Sequence, residues 1–237
     1  MNNSLSGVAI AVVLGFGSFT ALGGPMVLDS DERVLDMEIE LVWFDEAEKF
    51  HEFSEREYIV PEVPFGSWYA DGEMTSPAAW LSGTQQSLIS DMEVSGSGSM
   101  SGSVFHEDGA DYHILDVRGF SGILVEFTLT EQTSFLVEAD LMSSGSPGES
   151  TVQVRGIHGT DFHFRATARE DQTHVMVSEV LTLEAGSYFF NLSAIMQSDG
   201  FEHVGEASYT GGLRVIPSPS GIFVLACGGL VGVRRRR

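Results

Sequence analysis

The sequence predicts an all-β fold, an antiparallel β-sandwich or jelly roll, and three observations carry that expectation. Runs of four to ten residues alternate apolar and polar at period two between residues 34 and 216. Turn residues, with Gly at 27 positions and abundant Ser, separate those runs. No long stretch with a helical period lies between them, which points to sheets packed on each other and not to strands alternating with helices. With 43% apolar residues in 237, the chain has enough material for a real core.

The elements follow in chain order. Residues 1–23 read as a signal peptide: Val8 to Leu14 is apolar, Phe16, Phe19, Ala21 and Leu22 continue it, and Ala21-Leu22-Gly23 offers small residues for cleavage before Gly24. That segment is too short and Gly-rich for a membrane span, and its first seven residues hold no Lys or Arg, as a start codon set too far downstream would produce. From Val34, the residues Leu35, Met37, Ile39, Leu41 and Trp43 alternate with Asp36, Glu38, Glu40 and Val42, the pattern of a half-buried strand. Asp45 to Glu57 is highly charged, with Ala47, Phe50 and Phe53 at nearly helical spacing, and reads as one short helix or a loop. Leu88 to Val94 is strand-like. Ser95 to Ser103, an alternation of Ser and Gly around Met100, reads as a strand of small residues packed close to a neighbour and not as a flexible linker. Strands are expected at Ile123 to Thr130, Thr133 to Met142, Thr151 to Arg155, Asp161 to Ala168, His174 to Leu183, Ser187 to Met196 and Glu206 to Ile216. Ser143 to Gly148 and Glu184-Ala185-Gly186 are turns between them. Residues 30–216 thus form one acidic domain.

Charge narrows the partners. The chain has 34 acidic residues against 12 Lys and Arg, a net −22. Four of the basic residues are Arg234 to Arg237; without them 8 face 34, or −26. Such a body repels phosphate backbones, so nucleic-acid binding is excluded, and anionic polymers are repelled unless cations intervene. The single cysteine, Cys227, allows no internal disulfide.

Residues 217–237 have three parts. Ile216-Pro217-Ser218-Pro219-Ser220 is a rigid motif, Ile222 to Val233 is apolar and Gly-rich, and Arg234 to Arg237 end the chain. An apolar helix followed by a cationic cluster stops in a membrane with its arginines on the cytoplasmic side. A dozen apolar residues are marginal for a full span, which suits a transient anchor. This tail resembles that of the PEP-CTERM family of exported proteins, in which a Pro-Glu-Pro motif, an apolar helix and an Arg cluster follow one another. Here Pro217, Ser218 and Pro219 occupy the motif, with Ser218 in the place of its Glu, and Arg234, Arg235, Arg236 and Arg237 are the membrane stop. Similar tripartite tails processed by rhomboid-type proteases are the nearest competitor. Upstream, Val125 to Glu131, Phe135 to Leu141 and the run Leu183-x-x-Gly186-x-Tyr188 look like the β domain that precedes such tails. The resemblance implies export, an exosortase-like sorting protease as partner, and transient membrane anchoring at the cell envelope or surface.

Candidate chemistry is sparse. His106 to His113 holds two His and three carboxylates, of which Asp108, Asp111 and His113 are candidate ligands for Ca²⁺, although the spacing is not that of an EF-hand; a solvated acidic turn is the plainer interpretation, and no cofactor is expected. Asp29 to Glu32 reads as a disordered entry to the domain. His158 and His163 flank a turn but lack a third ligand. No phosphate loop, dinucleotide fingerprint, His-Glu-x-x-His or nucleophile elbow occurs. Trp43, Trp68, Tyr69 and Trp80 are the aromatics placed to bind ligand, with Trp43 expected in the core and Trp68 and Trp80 the candidates for stacking on sugars. The expected function is a non-catalytic, exported surface or extracellular-matrix protein. The alternatives are a carbohydrate-binding module for envelope polymer or exopolysaccharide, and an exported hydrolase with an unrecognised site.

Overall fold

The computed structural model of the chain describes residues 26–44, 47–105, 111–145, 148–198 and 204–217. The expected signal peptide, the tail beyond Pro217, and Cys227 lie outside the described residues, as do His106 to Ala110. The described residues form twelve strands and no helix: β1 (Met26–Phe44), β2 (Phe50–Ile59), β3 (Gly66–Thr75), β4 (Ala79–Ile89), β5 (Glu93–Val104), β6 (Asp111–Leu129), β7 (Thr133–Ser144), β8 (Gly148–Ile157), β9 (His163–Ala168), β10 (His174–Leu183), β11 (Gly186–Ser198) and β12 (Val204–Val215). They build two antiparallel six-stranded sheets. Sheet A runs β2-β1-β6-β11-β8-β9 and sheet B runs β10-β7-β12-β5-β4-β3.

The expected sandwich is therefore present, and its connectivity is informative. From β5 to β12 every connection crosses between the sheets except the β8–β9 hairpin. The resulting orders, β10-β7-β12-β5 over β9-β8-β11-β6, are those of a jelly roll built from two Greek keys. The β1–β2 hairpin widens sheet A beside β6, and the β3–β4 hairpin widens sheet B beside β5.

Three expectations need correction. Asp29 to Glu32 is not a disordered entry: it lies within β1, where pairing with β6 from Ser30↔Glu126 to Glu32↔Leu124 orders it. Asp45 to Glu57 is neither helix nor loop over most of its length, because Phe50 onward forms β2. That strand pairs with β1 along its whole length, from Phe44↔Phe50 to Leu35↔Ile59. Its charged residues made the segment look solvated, yet Phe53 and Ile59 turn inward at period two while Glu52, Ser54, Arg56 and Tyr58 face water; sheet pairing overrides local preference here. Leu88 to Val94 is not continuous strand either. It holds the β4–β5 hairpin turn, in which the Ser90 hydroxyl accepts from Glu93 N–H at 3.1 Å and Met92 N–H at 3.3 Å. Glu184 to Gly186 links strands of opposite sheets. There Tyr188, 1% exposed, donates its hydroxyl to the Glu184 carbonyl at 2.8 Å, a tyrosine corner that pins the crossover.

The interior divides into two apolar clusters. The larger, inside the jelly roll, centres on Phe127, Phe135, Tyr188, Phe190, Leu141 and Leu192. Phe127 stacks on Tyr188 at 5.7 Å between ring centroids. The smaller lies under β1, β3 and β4 and contains no buried aromatic. Leu35, Ile39, Leu41, Leu81, Val104, Val117 and three alanines supply its aliphatic part, and Met37, Met74, Met100 and Met196 the rest. Its thioethers fill space left by glycines. A Cβ at Gly83 or Gly119 would overlap Met100, one at Gly72 would overlap Met37, and one at Gly102 would overlap Met196. Met suits such irregular gaps because its unbranched chain adapts to them.

Arg33, 1% exposed, is the largest polar side chain in the interior. Its Nε donates to Asp31 Oδ2 at 2.7 Å, and its guanidinium donates to the carbonyls of Val63, Phe65 and Gly66 at 3.0–3.1 Å. Asp31 also accepts from Phe65 N–H at 3.2 Å. Two residues of β1 thereby hold the crossover that carries the chain from sheet A to sheet B, including Phe65 at a φ of 59°.

Candidate functional site

The outer face of sheet B is unlike the rest of the surface. Among the residues of β4 and β5, period two sends Trp80, Ser82, Thr84, Gln86 and Leu88 outward from β4 and Ser95, Ser97, Ser99, Ser101 and Ser103 outward from β5. The inward row of β5 is Val94, Gly96, Gly98, Met100, Gly102 and Val104. The Ser/Gly alternation has a cause on each side. Inside, a Cβ at Gly98 would overlap the hydroxyls of Ser121 and Tyr209, so the glycines admit side chains from β6 and β12. Outside, the serines keep the face low and polar. The Ser82 and Ser101 hydroxyls bond at 3.0 Å, and those of Thr84 and Ser99 at 2.8 Å, cross-strand pairs that fix the register. On the other flank β12 continues the face with Ser208, Thr210 and Gly212, paired with Ser99, Ser97 and Ser95.

This terrace is free of charge in a chain of net −22. No Asp, Glu, Lys or Arg occurs in 74–90 or 94–105. The terrace sinks into a trough of about 560 Å³, where β5 and β12 carry their smallest side chains. Ser95, Ser97, Thr210 and Gly212 make its floor, Gln86 and Leu88 one wall, and Leu136 and Glu138 of β7 the other. Glu93 and Arg214 close one end, with Arg214 3.8 Å from Glu138. The side chains of Gln86, Ser95, Ser97 and Thr210 have no hydrogen-bond partner among the described residues, so their donors and acceptors are open to a ligand. Tyr69 of β3, 62% exposed and paired with Gln86, stands one strand outside the trough.

The sequence-predicted site residues are scattered. Trp80 sits half-buried on the outward face of β4, opposite Ser103. Trp68 points the other way: it packs on the smaller apolar cluster, with Arg33 Cζ 5.9 Å from its ring centroid. Trp43 packs on the same cluster and stacks on His51 at 5.1 Å. Asp111 and His113 fall in β6, while Asp108 lies outside the described residues. Among the described residues no group of three or more His, Cys, Asp or Glu is arranged to hold a metal ion. His163 bonds Gln153 Nε2 at 3.0 Å, and His158 sits in the β8–β9 turn at a φ of 53°. Pro217 is exposed, just past β12; Ser218, Pro219 and Arg234 to Arg237 lie outside the described residues.

Sequence reasoning missed the trough. Its signal was present as five serines of one parity and the absence of charge over 74–90 and 94–105. Without the β5–β12 pairing nothing joined those residues to Thr210 and Gly212, over a hundred positions away. The opposite face of the sandwich shows the contrast: Asp36, Glu38 and Glu40 face outward beside Arg56 and Arg118, with Arg56 bonding Asp36 at 2.7 Å and Arg118 bonding Asp116. No protein-family model matches the chain, and a search of curated proteins finds no match.

Proposed function

We propose that the protein is a non-catalytic component of the cell surface or extracellular matrix, exported through its first 23 residues and sorted through a PEP-CTERM-like tail. The observation that supports this most is where the sandwich ends. Val215 N–H bonds the Met92 carbonyl at 2.9 Å, and Ile216 N–H bonds the Ser134 carbonyl at 2.8 Å. Pro217, which has no N–H to offer, follows in the open. The Pro-Ser-Pro motif therefore begins where the hydrogen bonding of sheet B stops. A cut in that motif leaves all twelve strands of the described residues intact. A high net negative charge keeps such a body soluble and away from anionic surfaces once released.

The experiment is the intact mass of the protein from separated fractions of the producing cells. Export and sorting give an envelope or medium species lacking both the first 23 residues and the segment beyond the Pro217 to Pro219 motif. A full-length species in the cytosol refutes both. An exported species that keeps its arginines preserves the localisation and removes the sorting step.

A further inference from the structure

We infer that the trough on the outer face of sheet B binds a neutral, extended polysaccharide laid along β5 and β12. Charge is the first reason. The ligand must tolerate a strongly acidic protein, yet it meets a floor with no formal charge, the charged residues of the lining being Glu138 on the far wall and Glu93 and Arg214 at one end. Polyanions are repelled by the surroundings, and a cation finds no carboxylates on the floor. An uncharged chain meets neither obstacle.

Chemical match is the second reason. The floor and one wall offer the hydroxyls of Ser95, Ser97 and Thr210 and the amide of Gln86, groups that both donate and accept. Sugar hydroxyls do the same, so each contact can form without burying an unpaired charge. The walls add Leu88, 45% exposed, and Leu136 for the C–H faces of the rings, and Tyr69 offers an exposed ring on which a further residue of the chain can stack. The trough lies on the outer face of a sheet, lined by three consecutive residues of β5 and five of β12, which suits a segment of a polymer and not a small molecule enclosed on all sides. The export reading above says only where such a glycan would be met. Binding by purified protein is a separate question, so the two can fail independently.

The test is affinity electrophoresis and calorimetry of the full chain with dextran, laminarin and hydroxyethyl cellulose, and with alginate as the anionic comparison. At least one neutral polymer binds and alginate does not. Ser97→Glu, which puts a charge on the floor at an outward position, abolishes binding. Tyr69→Ala weakens it about tenfold, the loss expected of one stacked ring. Gln153→Glu on sheet A leaves it unchanged. All four proteins are first shown to share one thermal midpoint to within a few degrees. Binding to none of the three neutral polymers overturns the inference, as does binding that survives both Ser97→Glu and Tyr69→Ala. Self-association abolished by Ser97→Glu would overturn it too, marking the face as a contact between copies of this chain.

Discussion

Replacing Arg33 by alanine tests the interior of the sandwich most directly. The side chains of Arg33 and Asp31 are 0% and 1% exposed, so neither charge is shared with water. Removing the guanidinium strands the Asp31 carboxylate with Phe65 N–H as its remaining partner, and frees the carbonyls of Val63, Phe65 and Gly66. Breaking a buried pair by removing one partner costs about 3–5 kcal/mol, much of it for the isolated charge left behind. The three freed carbonyls would add up to about 1–3 kcal/mol each if they stayed dry, but a cavity the size of the lost side chain lets water reach some of them. A loss of about 4 kcal/mol is the working figure. In urea, with m of about 2–3 kcal/mol/M, the midpoint falls by about 1.5 M. The companion is Asp31→Ala/Arg33→Ala. If the cost comes from a stranded charge, the double variant is more stable than the sum of the singles predicts, by about 1–3 kcal/mol. Salt changes the difference between wild type and Arg33→Ala little, because a buried pair is poorly screened. A midpoint shift under about 0.3 M for Arg33→Ala, or strict additivity in the cycle, would refute the clamp.

Three further outcomes are expected. Tyr209, 2% exposed, has its hydroxyl pushed up to about 12 by burial, against partial opposition from the neighbouring side chains of Ser121 and Gln85. Its folded value lies above the unfolded one, so its contribution is complete below pH 10 and is lost as pH rises toward 12, about 3 kcal/mol in all; unfolding midpoints measured from pH 8 to 12 show that decline, and Tyr209→Phe flattens it. Tyr188→Phe removes the bond to the Glu184 carbonyl and lowers stability by about 1 kcal/mol by calorimetry, with the far-ultraviolet spectrum unchanged; a variant as stable as the parent denies the corner its role. Ser87, whose hydroxyl is buried without a partner, is a site where alanine leaves stability unchanged or raises it by up to about 1 kcal/mol, and a clear loss would mean that hydroxyl is satisfied in solution.

The all-β class and most strands were legible because one face of each is buried. Thr133 onward shows it well: Phe135, Val137, Ala139 and Leu141 point inward and leave period two in the sequence. His174 to Leu183 was placed to the residue for the same reason, with a turn at each end. β2 and β3 were not legible. Both are edge strands with charged outward rows, and β3 buries little beyond Ala70 and Met74, so local composition resembled a loop. The clamp was invisible because Asp31 and Arg33 look like ordinary surface charges until the crossover folds back on them. The trough was half-visible: the serine row could be read, but its partner strand could not.

The methionines of the smaller cluster give the body a chemical clock. Met37, Met100 and Met196 each plug a space that glycine leaves, and all four are nearly or fully buried: Met37 and Met100 at 0%, Met196 at 2% and Met74 at 4%. Oxidation to the sulfoxide would place a polar, chiral group where no partner waits, and the glycines opposite offer no side chain to adjust around it. While the sandwich stays closed, peroxide cannot reach the sulfur. Each sulfoxide formed therefore records an opening of this half of the core, and once formed it hinders reclosing. In an oxidising setting, the lifetime of the protein would then be governed by how seldom the β1–β3–β4 layer breathes.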